Sequence, residues 1–113
     1  MADIIYLDFS SGIQRVMNNA KLYVKLLGKF RDDTKFGDLQ AAIAAGDLDN
    51  ALSLAHTIKG VAANLSLSEL FKQSLELENQ LKDKIADPNQ LDILKSVLDA
   101  TLIEIDKVIS EHG

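Results

Sequence analysis

Between residues 88 and 111 the side chains Leu91, Leu94, Leu98, Leu102, Ile105 and Ile109 recur at spacings of three and four. Such spacing gathers apolar groups on one face of a helix and scatters them around a strand. The segment opens on Asp87-Pro88, an N-cap followed by a proline at the first helical position. The same period runs through 20–31 (Ala20, Tyr23, Val24, Leu27, Phe30), 48–65, and 67–84 (Leu67, Leu70, Phe71, Ser74, Leu77, Leu81, with Ile85 beyond). Strand-like alternation is nearly absent, and proline occurs once. The chain is therefore expected to be all-α: an antiparallel four-helix bundle of long helices joined by short turns, with short helices added.

The shorter pieces fit around that frame. Residues 3–7 read as an extended lead-in packed on the bundle. Asp8 can cap a helix over 9–17, with Ile13, Val16 and Met17 on its apolar side and Gly12 weakening it. Asn18 or Asn19 caps the helix at 20–31. Another is expected at 36–45, burying Phe36, Leu39 and Ile43, with Gly46 as its C′ residue and Asp47 capping the helix that begins at 48. Ser66-Leu67-Ser68-Glu69 fits a capping box, in which Ser66 accepts from the Glu69 N–H. Glu76, Glu78, Lys82 and Asp83 read as a solvated flank, and His112 as part of a frayed end. No repeat, low-complexity tract or linker divides residues 1–113, which are expected to form one domain.

The bulk properties exclude several kinds of function. Net charge is −5, and no Lys/Arg cluster is dense enough to follow the phosphates of nucleic acid. Without cysteine there is no disulfide, thiol-redox or Cys-zinc chemistry. No apolar run approaches the ~20 residues of a membrane span. MADIIYLDF is acidic and lacks the basic start of a signal peptide, so the expected location is the cytoplasm. A start at Met1 with no linker fits a stand-alone protein.

What remains is residues 55–65, AHTIKGVAANL. On a helix, His56, Lys59, Gly60 and Ala63 share one strip. The apolar positions Leu48, Ala51, Ala55, Ile58, Ala62 and Leu65 point roughly 130° away from His56. The histidine should face outward, beside a cation and residues almost without side chains. It has no His or carboxylate at i+3 or i+4, so no metal site is expected. No glycine-rich phosphate loop and no Ser-His-Asp spacing is evident. A lone neutral imidazole can attack an activated phosphoryl group. Lys59 could reach the phosphoryl oxygens, and Gly60 and Ala63 leave the approach open. The plainer alternative is a surface histidine without chemistry, with Lys59 as ordinary charge and Gly60 as a helix-packing contact.

The stretch AHTIKGVAANL resembles the histidine-containing phosphotransfer (HPt) domain family: Ala-His, an apolar residue before Lys-Gly, small residues, then Asn-Leu. FSSGIQRVMNNAKLYVKLLGKF is similar to that family's N-terminal helices at Gly12, Arg15, Leu22, Tyr23 and Phe30, and Leu70 and the Leu77-Glu78 pair resemble its next helix. Ser66 stands where the family usually has glycine, and Ser74 where alanine is common. The resemblance implies a helical bundle that accepts a phosphoryl group on His56 from a receiver-domain aspartate and passes it to another. It implies no catalytic activity of its own. The partners would be receiver domains and a sensor or hybrid histidine kinase. Mg²⁺ would be supplied by the receiver, the chain having no cofactor of its own. Lys59 would stabilise the phosphoryl group, Gly60 would give close access, and Asn64 would be structural. A docking patch would draw on Leu52, on Ala63, and on Ile13 and Met17. The chain is expected to act as a monomer. The alternative is a helical adaptor that binds a receiver without chemistry.

Overall fold

The structure, a computed structural model, describes residues 4–112; Asp3, at the start of the expected lead-in, lies outside them. Among the described residues there are six helices and no strand: α1 (Phe9–Arg15), α2 (Ala20–Asp32), α3 (Phe36–Ala44), α4 (Leu48–Asn64), α5 (Ser68–Lys82) and α6 (Pro88–His112). The four long helices form the bundle. α6 packs between α2 and α5, α5 packs on α4, and the short α1 and α3 lie against α2 and α4. The 25 residues of α6 span roughly 37 Å, so this one helix sets the 40 Å long axis of the molecule.

Side chains at the helix starts take up the orphan amides. Asp8 accepts from Ser11 N–H at 3.1 Å, Asn19 from Leu22 N–H at 3.0 Å, Asp47 from Asn50 N–H at 3.2 Å, and Asp87 from Asn89 N–H at 2.9 Å. The ends of α3, α4 and α5 close alike, with a left-handed residue after the last turn: Gly46, Ser66 and Lys84, at φ 74°, 56° and 59°. In each, the following N–H reaches back to a carbonyl of the final turn: Asp47 to Ala42, Leu67 to Ala62, and Ile85 to Gln80, each at 2.9 Å. These are Schellman closures. They turn the chain back on itself locally, so α4 and α5, separated by residues 65–67, run antiparallel.

The capping box at Ser66 does not form. A box needs Ser66 in an N-cap conformation, but its left-handed backbone closes α4 instead. Its hydroxyl meets Ser11 Oγ at 2.9 Å, and its carbonyl accepts from Asp8 N–H at 3.0 Å. α5 starts one residue later than expected, at Ser68, with no side-chain cap. Ser66 thus occupies the conformation that glycine adopts most easily, and it ties the N-terminal segment to the α4–α5 corner.

Tyr23, Leu27, Leu39, Ala51, Ala55, Ala62, Leu70, Leu77, Leu94 and Ile105 are wholly buried in one apolar cluster. Gly12 is buried too, and it is where α1 meets Tyr23 of α2. The edge of the Tyr23 ring lies where a Cβ of residue 12 would be. Burial, then the Asp8 charge, pushes the Tyr23 hydroxyl up to about 12. It therefore keeps its proton and donates to the Leu65 carbonyl at 2.6 Å, linking α2 to the end of α4.

Several side chains fall elsewhere than their spacing suggests. Met17 is 90% exposed, because α1 ends at Arg15 and residues 17 and 18 turn left-handed. Phe71 and Ile85 are exposed and Ile43 is half-buried, while Val97, Thr101 and Val108 of α6 are buried. His112 is helical, and its ring stacks on Phe9 at 4.4 Å and 18°, so this end is held to α1.

Ser74 is wholly buried, and its hydroxyl has no hydrogen-bond partner. Replacing it with alanine removes an unmet polar group and improves helix propensity. Ser74→Ala should raise stability by about 1 kcal/mol and the melting temperature by about 4 °C. Thermal unfolding checks this; a lower melting temperature would show that the hydroxyl has a partner in solution.

Candidate functional site

His56 lies midway along α4. Its neighbours on the buried face, Ala51, Ala55, Ile58 and Ala62, seat the helix on the core and so turn residue 56 outward. The imidazole is 68% exposed, as its phase requires. Gly60 lies one turn on, and a Cβ there would meet nothing within 4 Å. This glycine therefore fills no helix-packing contact, and the flank of the histidine is open on that side.

The inner side of the imidazole is not open. Glu78 of α5 faces it, with Nδ1 3.3 Å from Oε2 and 3.4 Å from Oε1. Lys59 binds the same carboxylate at 3.0 Å and 3.2 Å. Lys82, one turn along α5, lies 3.4 Å from Oε1. One buried carboxylate, 3% exposed, thus faces three nitrogens from two helices. Burial disfavours its ionisation. The hydrogen bonds from Lys59 and His56, the Lys59 charge and Lys82 outweigh that and hold the carboxyl below its ordinary value.

The two lysines are bound very differently. Lys59 is only 20% exposed and touches both oxygens. Separating a buried pair of this kind costs about 3–5 kcal/mol when the partner is left bare, and somewhat less here because Lys59 keeps some access to water. Lys82 is 57% exposed and touches one oxygen. With the ammonium open to water, this contact holds Glu78 less firmly than Lys59 does.

Glu78 is therefore not part of a solvated flank, contrary to what its charged neighbours suggest. The sequence does carry the signal: residue 78 is four beyond Ser74 and three before Leu81, both on the inner face of α5. Lys59, the cation expected beside the histidine, has its ammonium on Glu78.

The remaining candidates divide. Leu52 is half-buried and lines a shallow groove with Asp49, Ser53, His56, Glu78 and Lys82. Ala63 lines a separate hollow with Ser11, Arg15 and Phe71. Ile13 packs partly on the core, and Met17 projects into solvent. The groove at His56 includes neither of them.

The arrangement can orient a nucleophile. With a proton on Nδ1, that N–H donates to Glu78, and the lone pair sits on the outward Nε2. A carboxylate on the inner nitrogen also stabilises positive charge that develops on the ring. Among the described residues no group of three or more His, Cys, Asp or Glu side chains converges to hold a metal ion. Among them, too, no helix is long and apolar enough to cross a membrane.

A family model described as "Hpt domain" matches residues 25–107, which include His56, Lys59, Gly60, Glu78 and Lys82 but not α1. No curated protein and no solved structure matches the chain.

Proposed function

The chain belongs to the Hpt domain family, the histidine phosphotransfer modules of two-component signalling, and from that premise we propose that it carries a phosphoryl group on His56 between the aspartates of receiver domains. The observation that carries this reading is an imidazole with its outer nitrogen open and its inner nitrogen on a buried carboxylate.

On this reading, Nε2 attacks the phosphorus of a receiver's aspartyl phosphate. The Nε2–P bond forms as the P–O bond to the aspartate breaks, and the aspartate leaves as a carboxylate. The ring gains positive charge, which the Glu78 carboxylate balances through the Nδ1 proton. Transfer to the next aspartate is the reverse. Phosphoryl transfer asks mainly for alignment and charge compensation. Gly60 allows the receiver's active site to close over the ring, and Leu52 gives it an apolar foothold beside the groove. The divalent cation belongs to the receiver. A sensor or hybrid kinase supplies the phosphate upstream. We place the protein in the cytoplasm as a monomer.

The test is incubation with a phosphorylated receiver. The wild-type chain should acquire a base-stable, acid-labile phosphate, and His56→Gln, with unchanged helical circular dichroism, should acquire none. Phosphate retained by that variant would overturn the assignment. Receiver binding with no label on either protein would favour an adaptor.

A further inference from the structure

We propose that the face around His56 is charge-polarised, with Asp49 at its acidic end and Arg15 at its basic end, and that this polarity orients the docking partner. The partner it fits is a receiver with a cationic side chain on one side of its phosphorylated aspartate and a carboxylate on the other. This rests on the reading of His56 as the phosphoryl carrier.

One strip of α4 fixes the geometry. Asp49, His56 and Ala63 stand seven residues apart on that helix. Seven residues are nearly two whole turns, so the three share one line, with about 10 Å between successive members. Asp49 lines the groove at His56 together with Leu52. At the other end, Ala63 opens on the hollow that Arg15 of α1 lines. A standard interface covers about 800 Å² on each partner, so a protein that closes over His56 meets both ends.

The charges at those ends are opposite and unspent. Beyond Asp49, the hollow at the α3–α4 corner is lined by Asp38, Asp47 and Asn50 and by no cation. The hollow at Arg15 is lined by Ser11, Ser66 and Ser68 and by no carboxylate. Asp49 and Arg15 are both exposed, and neither has an ion-pair partner among the described residues. Between them, Lys59 and Lys82 are on Glu78.

Asp49 also works against loading. A phosphoryl group brings about −2 to the site, and a carboxylate about one Debye length away opposes its arrival. Phosphoryl acceptance gives no reason for that charge, whereas recognition of a cation on the partner does. In the first turn of α4 Asp49 suits the helix dipole, as Arg15 does in the last turn of α1. Those roles move stability and not the rate of transfer from a receiver.

The test compares Asp49→Lys, Arg15→Glu and the double variant, each with unchanged helical circular dichroism. The double variant keeps the net charge and inverts the polarity. Phosphoramidate, whose P–N bond breaks to release ammonia as the Nε2–P bond forms, should load all three and so verify His56. From a phosphorylated receiver at low salt, each single reversal should accept phosphate on the order of fivefold more slowly than wild type. The double variant should be slower than either, and rising ionic strength should shrink the differences. Single reversals that match wild type would overturn the proposal, and so would a double variant restored to the wild-type rate, because net charge alone would then govern encounter. A wild type that phosphoramidate loads and no receiver does would instead overturn the relay reading, and the proposal with it.

Discussion

Glu78→Gln should accept phosphate from a receiver on the order of 10²-fold more slowly than wild type, and should be less stable by about 2 kcal/mol. The kinetic effect has two sources. A neutral amide can present its oxygen or its NH₂ to Nδ1, so the ring is no longer fixed with its lone pair on the outer nitrogen. It also cannot balance charge developing on the imidazole. The stability effect arises because Lys59, held at 3.0 Å in a largely buried position, loses its counter-ion. Its residual access to water keeps the loss below that of a fully buried pair. The pH dependence has a definite sign. The Glu78 carboxyl is held below its ordinary value of 4.5 in the fold, so the stability it contributes is complete above that value. It is lost as pH falls through the depressed folded one. Wild type and Glu78→Gln should therefore converge in acid and separate near neutrality. Denaturant midpoints at several pH values, with rapid-quench transfer rates, measure both effects. A constant stability gap across that range would mean that the pair contributes nothing through charge.

Gly12→Ala should destabilise the chain by about 2–3 kcal/mol, lowering the melting temperature by roughly 10 °C. Alanine is ordinarily the better helix former by about 1 kcal/mol, so the sign depends on the neighbour. A Cβ at residue 12 would coincide with the edge and hydroxyl of the Tyr23 ring. That ring is wholly buried and held at its far end by the Leu65 carbonyl, so it has nowhere to move. α1 would have to lift instead, straining Asp8 N–H to Ser66, the Ser11–Ser66 bond and the Phe9–His112 stack. In a Tyr23→Ala background the same substitution should cost little, since the two effects share one contact. An equal penalty in both backgrounds would show that the ring is not the obstacle.

These residues also mark what the sequence could and could not reveal. The bundle is legible because period and caps agree: Asp47 and Asp87 cap where expected, and Gly46 closes α3. The outward phase of His56 is legible too, since the small residues around it fix which face of α4 is buried. Helical spacing alone reads Gly12 as a weakness of its helix. Its use appears when Tyr23 arrives from α2. Ser66 satisfies two local patterns, and the one that wins is decided by a left-handed backbone angle that Ser-x-x-Glu does not encode. Glu78 is obscured by its charged sequence neighbours. A glutamate is usually solvated, and this one is buried because Lys59 and His56 on another helix meet it. Pairings across helices do not follow from the period of either one.

The hub around Glu78 has a consequence for traffic. One carboxylate and two ammoniums leave a single positive charge beside His56, or neutrality once Asp49 on the groove rim is counted. A phosphoryl group adds about −2, which makes the same surface negative. On the proposed reading the empty carrier then presents a face that admits an anionic donor, and the loaded carrier one that repels it. Encounter rates, which follow such fields and fall with salt, would therefore differ between the empty and the loaded carrier, for donor and acceptor receivers alike, through the charge of three side chains.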